Sequence, residues 1–449
     1  MLKLFNKNNL YLTLICAWLF LFSYIIRLNP AIPFSLIILY ACFYKKFSDT
    51  KNASLLNLSF LYLVSFSLGY SLLKNGLSIY FVPITIIPML SVLLLNNLEI
   101  AYFLSLGTSL SLAAISPEPF KAFFIFMTSC ACAILMIKGA RKRTRIIQAG
   151  FIASLALLLS LLLLEYLRIN QTQRYLIILA NGLLCGIITL GILPLFEYLL
   201  RSVTNISLLE LADSNQPILQ RMILEAPGTY HHSLIVGNMS DTACSAVGAN
   251  GLLARIGAYY HDIGKLQKPE YFIENQNIRK NAHDALSPTM SKLIIMNHIK
   301  EGLELAKKYK LSPVLWDFIQ RHHGNSLVYY FYRRALEDKQ EDQEISEEGF
   351  RYPGPKPNTL ETAIVLLADS VEAATRSLAD PTPDKIDEMV HKVINNKFID
   401  GQLDECELTL KDMEKISGIF SKILSGIYHS RLNYPPETKH ENNHKKPAK

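Results

Sequence analysis

The sequence predicts an all-α protein in two parts, a multi-span helical membrane half followed by a soluble helical bundle. Three observations predict it. Half of the 449 residues are hydrophobic, and the excess falls in a succession of apolar runs within residues 1–200. No segment beyond residue 200 shows the apolar–polar alternation of a half-buried strand. The chain has 11 His, of which none precedes residue 231 and seven fall between His231 and His323.

Apolar runs occur at 10–27, 31–44, 54–73, 78–95, 98–115, 119–137, 146–166 and 174–196. Most approach the roughly 20 residues needed to cross a bilayer as a helix. The first run follows Lys3 and Lys7 and leads into Arg27-Leu28-Asn29-Pro30, without a small-residue cleavage site, so it reads as an uncleaved anchor. Counting the short 31–44 run gives eight spans. The two most basic loops, Lys45–Lys51 and Lys138–Arg145, then fall on the same side as the N-terminus. An even count also places residue 201 onward on that inner side. Glu99, Glu165 and Glu197 lie near span ends, and charges at mid-span are nearly absent, which disfavours a transporter.

The net charge of +7 comes from short basic clusters beside the membrane runs and from the tail. It makes no broad basic surface, so no DNA or RNA duplex is expected as a partner. The seven Cys form neither a disulfide framework nor a zinc-ligand spacing, in keeping with a reducing compartment for the soluble half.

In the soluble half, 201–226 reads as a helical connector. Ala226-Pro227-Gly228-Thr229 breaks it, and a helix is expected from Tyr230 to Val247, ended by Gly248 to Gly251. Residues 252–262 are apolar nearly all round and suit a central helix with His261 and Asp262 at its C-terminal end. Lys268 to Leu286 is polar and reads as a loop over the site. Ser287-Pro288 and Ser312-Pro313 each pair an N-cap with Pro at N1. The first opens a helix with His298 near its far end; the second opens one ending at His322-His323-Gly324. Glu337 to Glu348 reads as a solvated acidic loop. A helix over 359–378 carries Asp369 among apolar neighbours, and Thr409 caps a last helix to about Tyr428. The stretch 435–449 is a basic tail expected to be disordered.

Imidazoles and carboxylates this far apart in sequence suit a bundle whose helices each donate one or two inward ligands to a divalent metal. Asp262, flanked by His261, can bridge two ions. His232, His261 and Asp369 are assigned to one, and His298, His322 and His323 to the other. Two such ions can hold a bridging hydroxide and clamp phosphate oxygens, which suits phosphodiester hydrolysis. Lys265 follows on a turn and could offset the charge of a scissile phosphate. A charge among four apolar residues needs a partner, which favours Asp369 as a ligand. His232 taken alone is as readily a buried core histidine as a ligand. His231 is left out, His283-Asp284 is placed at the site margin, and His391, His429, His440 and His444 are expected to face solvent.

These blocks are ordered in a way that resembles a known family. Glu225–Ser233, Gly257–Lys265, Tyr271–Gln276, His322–Gly324, Phe350–Pro355 and Asp369–Ala374 resemble the seven-transmembrane HD-domain phosphodiesterases of bacteria, the PgpH type. The resemblance covers about 195–432. It implies a transmembrane domain at 1–200, the connector at 201–226 and an HD-type phosphohydrolase domain at 227–434. It further implies His232 as the ligand of its His pair, two divalent ions, manganese or iron, and hydrolysis of cyclic di-AMP to linear pApA. The expected location is the bacterial inner membrane, multi-pass, with the HD domain and both termini cytoplasmic; a homodimer is left open. Family members carry an external domain between the first anchor and the seven spans, and here only about Leu28 to Pro30 stands in that place. Two alternatives remain: hydrolysis of another nucleotide, such as cyclic di-GMP or a nucleoside polyphosphate, and a membrane receptor that binds nucleotide without cutting it. The His-His pair is followed by Gly-Asn-Ser-Leu rather than by the Gly-Tyr-Pro element of the cyclic di-GMP class.

Overall fold

The computed structural model of the chain describes residues 55–165, 172–200, 202–276, 281–338 and 344–428. The expected spans at 10–27 and 31–44, the basic tail, and His429, His440 and His444 lie outside them. Two compact units divide the chain. One holds Met1–Gln220 with Ala306–Trp316, and the other holds Arg221–Leu305 with Asp317–Lys449.

The first unit is built from apolar helices α1 (Leu55–Lys74), α2 (Ile86–Leu95), α3 (Leu98–Ala113), α4 (Pro119–Ile137), α5 (Arg143–Glu165) and α6 (Thr172–Leu200). Of these, α4, α5 and α6 are long and apolar enough to cross a membrane by length and composition. The run expected over 78–95 is not one helix. It is a 3₁₀ turn at Ile79–Phe81 followed by α2, with Pro83 in the break. At ten residues α2 is about 15 Å long, half a bilayer core. The broken backbone needs donors in an apolar surround. Asn181 of α6 supplies them, its Nδ2 donating to the carbonyls of Tyr80 at 2.8 Å and Val82 at 3.1 Å. All ten residues of α2 are buried. The connector expected over 201–226 consists of α7 (Asn205–Leu211) and α8 (Pro217–Glu225).

The second unit is helical, with α9 (Pro227–Ala246), α10 (Gly251–Tyr260), α11 (Pro288–Lys308) up to Leu305, α12 (Pro313–Arg321) from Asp317, α13 (Tyr329–Glu337), α14 (Leu360–Arg376), α15 (Pro383–Ile399) and α16 (Leu410–Ile427). Among the described residues there is no strand, only an isolated bridge between Leu327 and Arg351. The capping chemistry read from the sequence sets the helix starts. Ser287 Oγ accepts from Met290 N and Thr409 closes a reciprocal capping box; Thr359, which the sequence reading did not name as a cap, closes another. Gly324 takes φ +55°, as a residue just past a helix end requires. Two helices, α13 and α15, lie where the sequence reading assigned none. In α15 the buried residues Ile386, Val390 and Ile394 recur every four positions in an otherwise charged segment, a stripe of three that is thin but legible.

Helix α14 is the axis of this unit. It packs against α9, α10, α15 and α16, and Thr362 to Asp369 are buried without a break. The core joins Val236, Met239 and Ala243 of α9, Ala254 and Ala258 of α10, and Ile416 and Phe420 of α16 around it. A carboxylate on this helix is therefore carried to the centre of the bundle.

Candidate metal centre

Five segments deliver the site. His232 lies in the second turn of α9, His261 and Asp262 just past the end of α10, and His298 in the middle of α11. His322 and His323 follow the end of α12, and Asp369 is on α14. His298 was expected near the far end of its helix, but α11 runs ten residues beyond it. The turn after Asp262 seats against α11 through Gly264. A Cβ there would stand 1.8 Å from the His298 carbonyl oxygen and 2.6 Å from Gly302 N, so glycine is what lets Asp262 and His298 approach.

The seven residues converge as two groups that share Asp262. His232, His261, Asp262 and Asp369 form one; Asp262, His298, His322 and His323 form the other. Within each group the donor atoms all lie within 4.8 Å of one another. Asp262 Oδ2 is 3.1 Å from His261 Nε2 and 3.7 Å from His232 Nε2. Its Oδ1 is 3.4 Å from His298 Nε2 and 3.5 Å from His322 Nε2. Asp369 Oδ1 is 3.0 Å from His232 Nε2, and its Oδ2 is 3.4 Å from His323 Nδ1. His232, His261, Asp262, His298, His322 and Asp369 are all buried. His322 and His323 both lie beyond the last residue of α12.

The outward ring nitrogens explain why the Nε2 atoms face inward. His261 Nδ1 is 2.6 Å from the Ala258 carbonyl, and His322 Nδ1 is 3.0 Å from that of Ile319. His298 Nδ1 lies on the Ile295 carbonyl. His232 Nδ1 is 2.6 Å from Glu372 Oε2. An Nδ1–H donated outward leaves the Nε2 lone pair free for a cation, as in metal-ligating histidines generally. Asp262 Oδ1 and His261 Nε2 are buried with no hydrogen-bond partner, a costly arrangement unless a cation satisfies them; Asp262 Oδ2 meets the Lys265 ammonium at 2.7 Å. His298 Nε2 and His322 Nε2, both lone-pair atoms on this assignment, stand 3.1 Å apart. The donor set fits a pair of divalent cations.

The ionisable groups of the site act strongly on one another. Burial opposes ionisation of Asp262, but His261 and Lys265 outweigh it and hold the carboxyl well below its usual range. Burial likewise opposes a charge on His261, and the Asp262 carboxylate overrides it, pushing the imidazole up to about 10. His298 goes the other way, lowered to about 4, chiefly by burial. Lys265, expected to face a phosphate, is held by two carboxylates, Asp262 at 2.7 Å and Glu274 at 2.8 Å. It still lines the adjoining cavity of about 460 Å³, along with His232, His298, His323 and Asp369. His283 lies in that wall too, buried, with Nε2 2.9 Å from the Tyr271 carbonyl. His231 belongs to neither group. His391 is 39% exposed, beside Asp387.

Sequence reasoning passed over Glu372 and Glu274 as working residues. Glu372 is fully buried, joined to His232 and paired with Arg376. Its signal was its place three residues after Asp369, on the same helix face. Glu274 accepts from Thr229 Oγ1 at 3.1 Å, and a Cβ on Gly228 would meet its carbonyl oxygen at 1.8 Å. The segment 269–275 thus lies directly on the start of α9, a contact with no signature in local sequence.

Comparison with known proteins adds an independent line. A family described as 7TM receptor with intracellular HD hydrolase matches residues 18–204, and the HD domain family matches residues 229–374. An HD domain implies divalent metal binding. The cyclic-di-AMP phosphodiesterase PgpH of Bacillus subtilis is 43% identical over 320 residues, covering 70% of this chain and 45% of that protein. Its namesake in Listeria monocytogenes is 36% identical over 399 residues, 86% of this chain and 55% of the relative. A crystal structure of the L. monocytogenes PgpH HD domain in complex with cyclic-di-AMP is 42% identical, with a TM-score of 0.46, and covers 48% of this chain and 100% of that one. The chain spans about half the length of the two full-length relatives. The chain thus matches a seven-transmembrane HD-receptor model and an HD-domain model in this order, and with its motif blocks in place it is similar to the seven-transmembrane HD-domain proteins of the PgpH type.

Proposed function

We propose that the second unit is a metal-dependent phosphodiesterase that opens cyclic di-AMP to linear pApA, using two divalent ions, manganese or iron, shared by Asp262. The observation that carries this reading is the convergence of seven imidazole and carboxylate donors as two groups sharing Asp262, with the Nε2 atoms of His261 and His322 held inward. The names of the two full-length relatives support the substrate. Bound ions of this kind polarise phosphoryl oxygens and acidify a coordinated water. The chain's own residues do the rest. His232, His261 and Asp369 would hold one ion, and His298, His322 and His323 the other. Asp262, Glu274, Asp369 and Glu372 outnumber the cations Lys265 and Arg376. With the imidazoles neutral as ligands, two divalent cations would leave the site net positive, which favours a phosphodiester. Lys265, fixed by Asp262 and Glu274, keeps a positive charge on the cavity wall. The basic loop Lys138–Arg145 supports placing this unit in the cytoplasm.

The test uses full-length protein in detergent, loaded with Mn²⁺ and given cyclic di-AMP or cyclic di-GMP, with products resolved by chromatography. We expect cyclic di-AMP to yield pApA, faster than cyclic di-GMP is cut, and chelator to stop the reaction. Metal-loaded protein that binds cyclic di-AMP without cutting it would refute the hydrolase reading in favour of a nucleotide receptor.

A further inference from the structure

The cavity beside the metal centre has two kinds of wall. One end is the ligand cluster. The other is aromatic, and its rings follow one another in contact. Tyr271 meets His283 at 5.4 Å between centroids, His283 meets Phe331 at 4.9 Å, and Phe331 meets Tyr330 edge-on at 5.1 Å. All four residues line the cavity. The run is fixed from behind: Phe331 is buried in a small core with Phe350, and Arg334 Nη1 donates to the His283 carbonyl. Tyr330 differs from the others. It is 62% exposed, although its neighbour Phe331 is 6% exposed. A large aromatic held at the rim of a cavity, by a helix whose next residue is anchored, keeps a flat face in water at a free-energy cost.

We propose that Tyr330 is a stacking platform for a nucleobase of the substrate whose phosphodiester sits at the metal centre. This inference rests on the phosphodiesterase reading above. A cyclic dinucleotide carries its bases outward from the phosphodiester ring, so a base must leave the ligand cluster along the wall. The wall offers aromatic surface in that direction. Stacking is tolerant of base identity because every base has a π face, so Tyr330 contributes affinity for the nucleotide and little discrimination between purines. Tyr329 serves as a built-in comparison. It is one residue away on the same first turn of α13 and equally exposed at 64%, but it does not line the cavity.

The test is steady-state kinetics on Mn²⁺-loaded full-length protein with cyclic di-AMP. Tyr330→Ala should raise KM about 5- to 150-fold, the span of base–aromatic stacking, with kcat changed much less. Tyr330→Trp should restore KM, and its added fluorescence should be quenched when cyclic di-AMP is titrated in. Tyr329→Ala should behave as wild type. An unchanged KM in Tyr330→Ala, or an equal rise in Tyr329→Ala, overturns the inference while wild-type turnover preserves the function. Absence of turnover by the wild type overturns both.

Discussion

Glu372 is the residue through which the metal reading can be tested without measuring catalysis. Its Oε2 lies 2.6 Å from His232 Nδ1, in a fully buried position, and its Oε1 pairs with Arg376. Glu372→Ala leaves a buried N–H without an acceptor, at a cost of about 1–3 kcal/mol, and frees the His232 ring to turn or change tautomer. Removing the outer partner of a ligating histidine typically weakens metal binding about 10- to 100-fold. Glu372→Gln keeps an acceptor but loses the charge, and a neutral hydrogen bond is about half as strong as a charge-assisted one, so its loss should fall at or below the lower end. The assay is titration of chelator-stripped protein with Mn²⁺ against a fluorescent competing chelator, with circular dichroism to confirm helix content. The ion on the His232 side should weaken and the ion on the His298 side should hold. Glu372→Ala binding both ions within twofold of wild type would refute the claim that this carboxylate orients a metal ligand.

Three other outcomes follow from particular atoms. Asp262→Ala removes the carboxylate common to both donor groups and should reduce cyclic di-AMP turnover at least about 1,000-fold, on the scale of losing a principal electrostatic element, with helix content retained; residual turnover within tenfold of wild type would exclude Asp262 as the bridge. Gly264→Ala drives a Cβ into the His298 carbonyl and should cost about 3 kcal/mol, the upper range for overpacking, seen as a fall in urea midpoint together with weaker Mn²⁺ binding; an unchanged midpoint would show that α11 yields easily. His283 is held below its ordinary pKa of 6.5 by burial. The unfolded chain therefore takes up its proton first, so the contribution of His283 to stability is full above about pH 6.5 and is lost as pH falls below it. His283→Gln should flatten the decline in urea midpoint between pH 7 and 5, and an identical slope in both proteins would contradict this.

Much of the site was legible before any coordinates. Cap signals at Ser287 and Thr409 are local chemistry and place two helix starts, and Gly324 marks the end of α12, where His322 and His323 stand. The isolation of Asp369 in Val365-Leu366-Leu367-Ala368 marks a buried carboxylate, because burial of a charge demands a partner. The grouping of ligands around Asp262 could be proposed from residue type and sequence spacing. Other features needed three dimensions. The division of 78–95 into a turn and a ten-residue helix depends on Asn181, about a hundred residues later, supplying donors to the broken backbone. Glu274 reaches Lys265 because Gly228 lets the 269–275 segment lie on α9. Glu372 partners His232 because α14 is the buried axis of its unit.

The sequence by itself determined the helical class, the apolar runs of the first 200 residues, and the set of metal-ligand candidates. These follow from local periodicity, capping and the free-energy cost of burying a charge, all of which are written along the chain. Only the tertiary structure decided which nitrogen of each histidine faces the centre, which carboxylates hold Lys265 and His232, and that an aromatic wall adjoins the ligands. Those depend on close approach between segments far apart in sequence, set by the glycines and side-chain partners at each crossing.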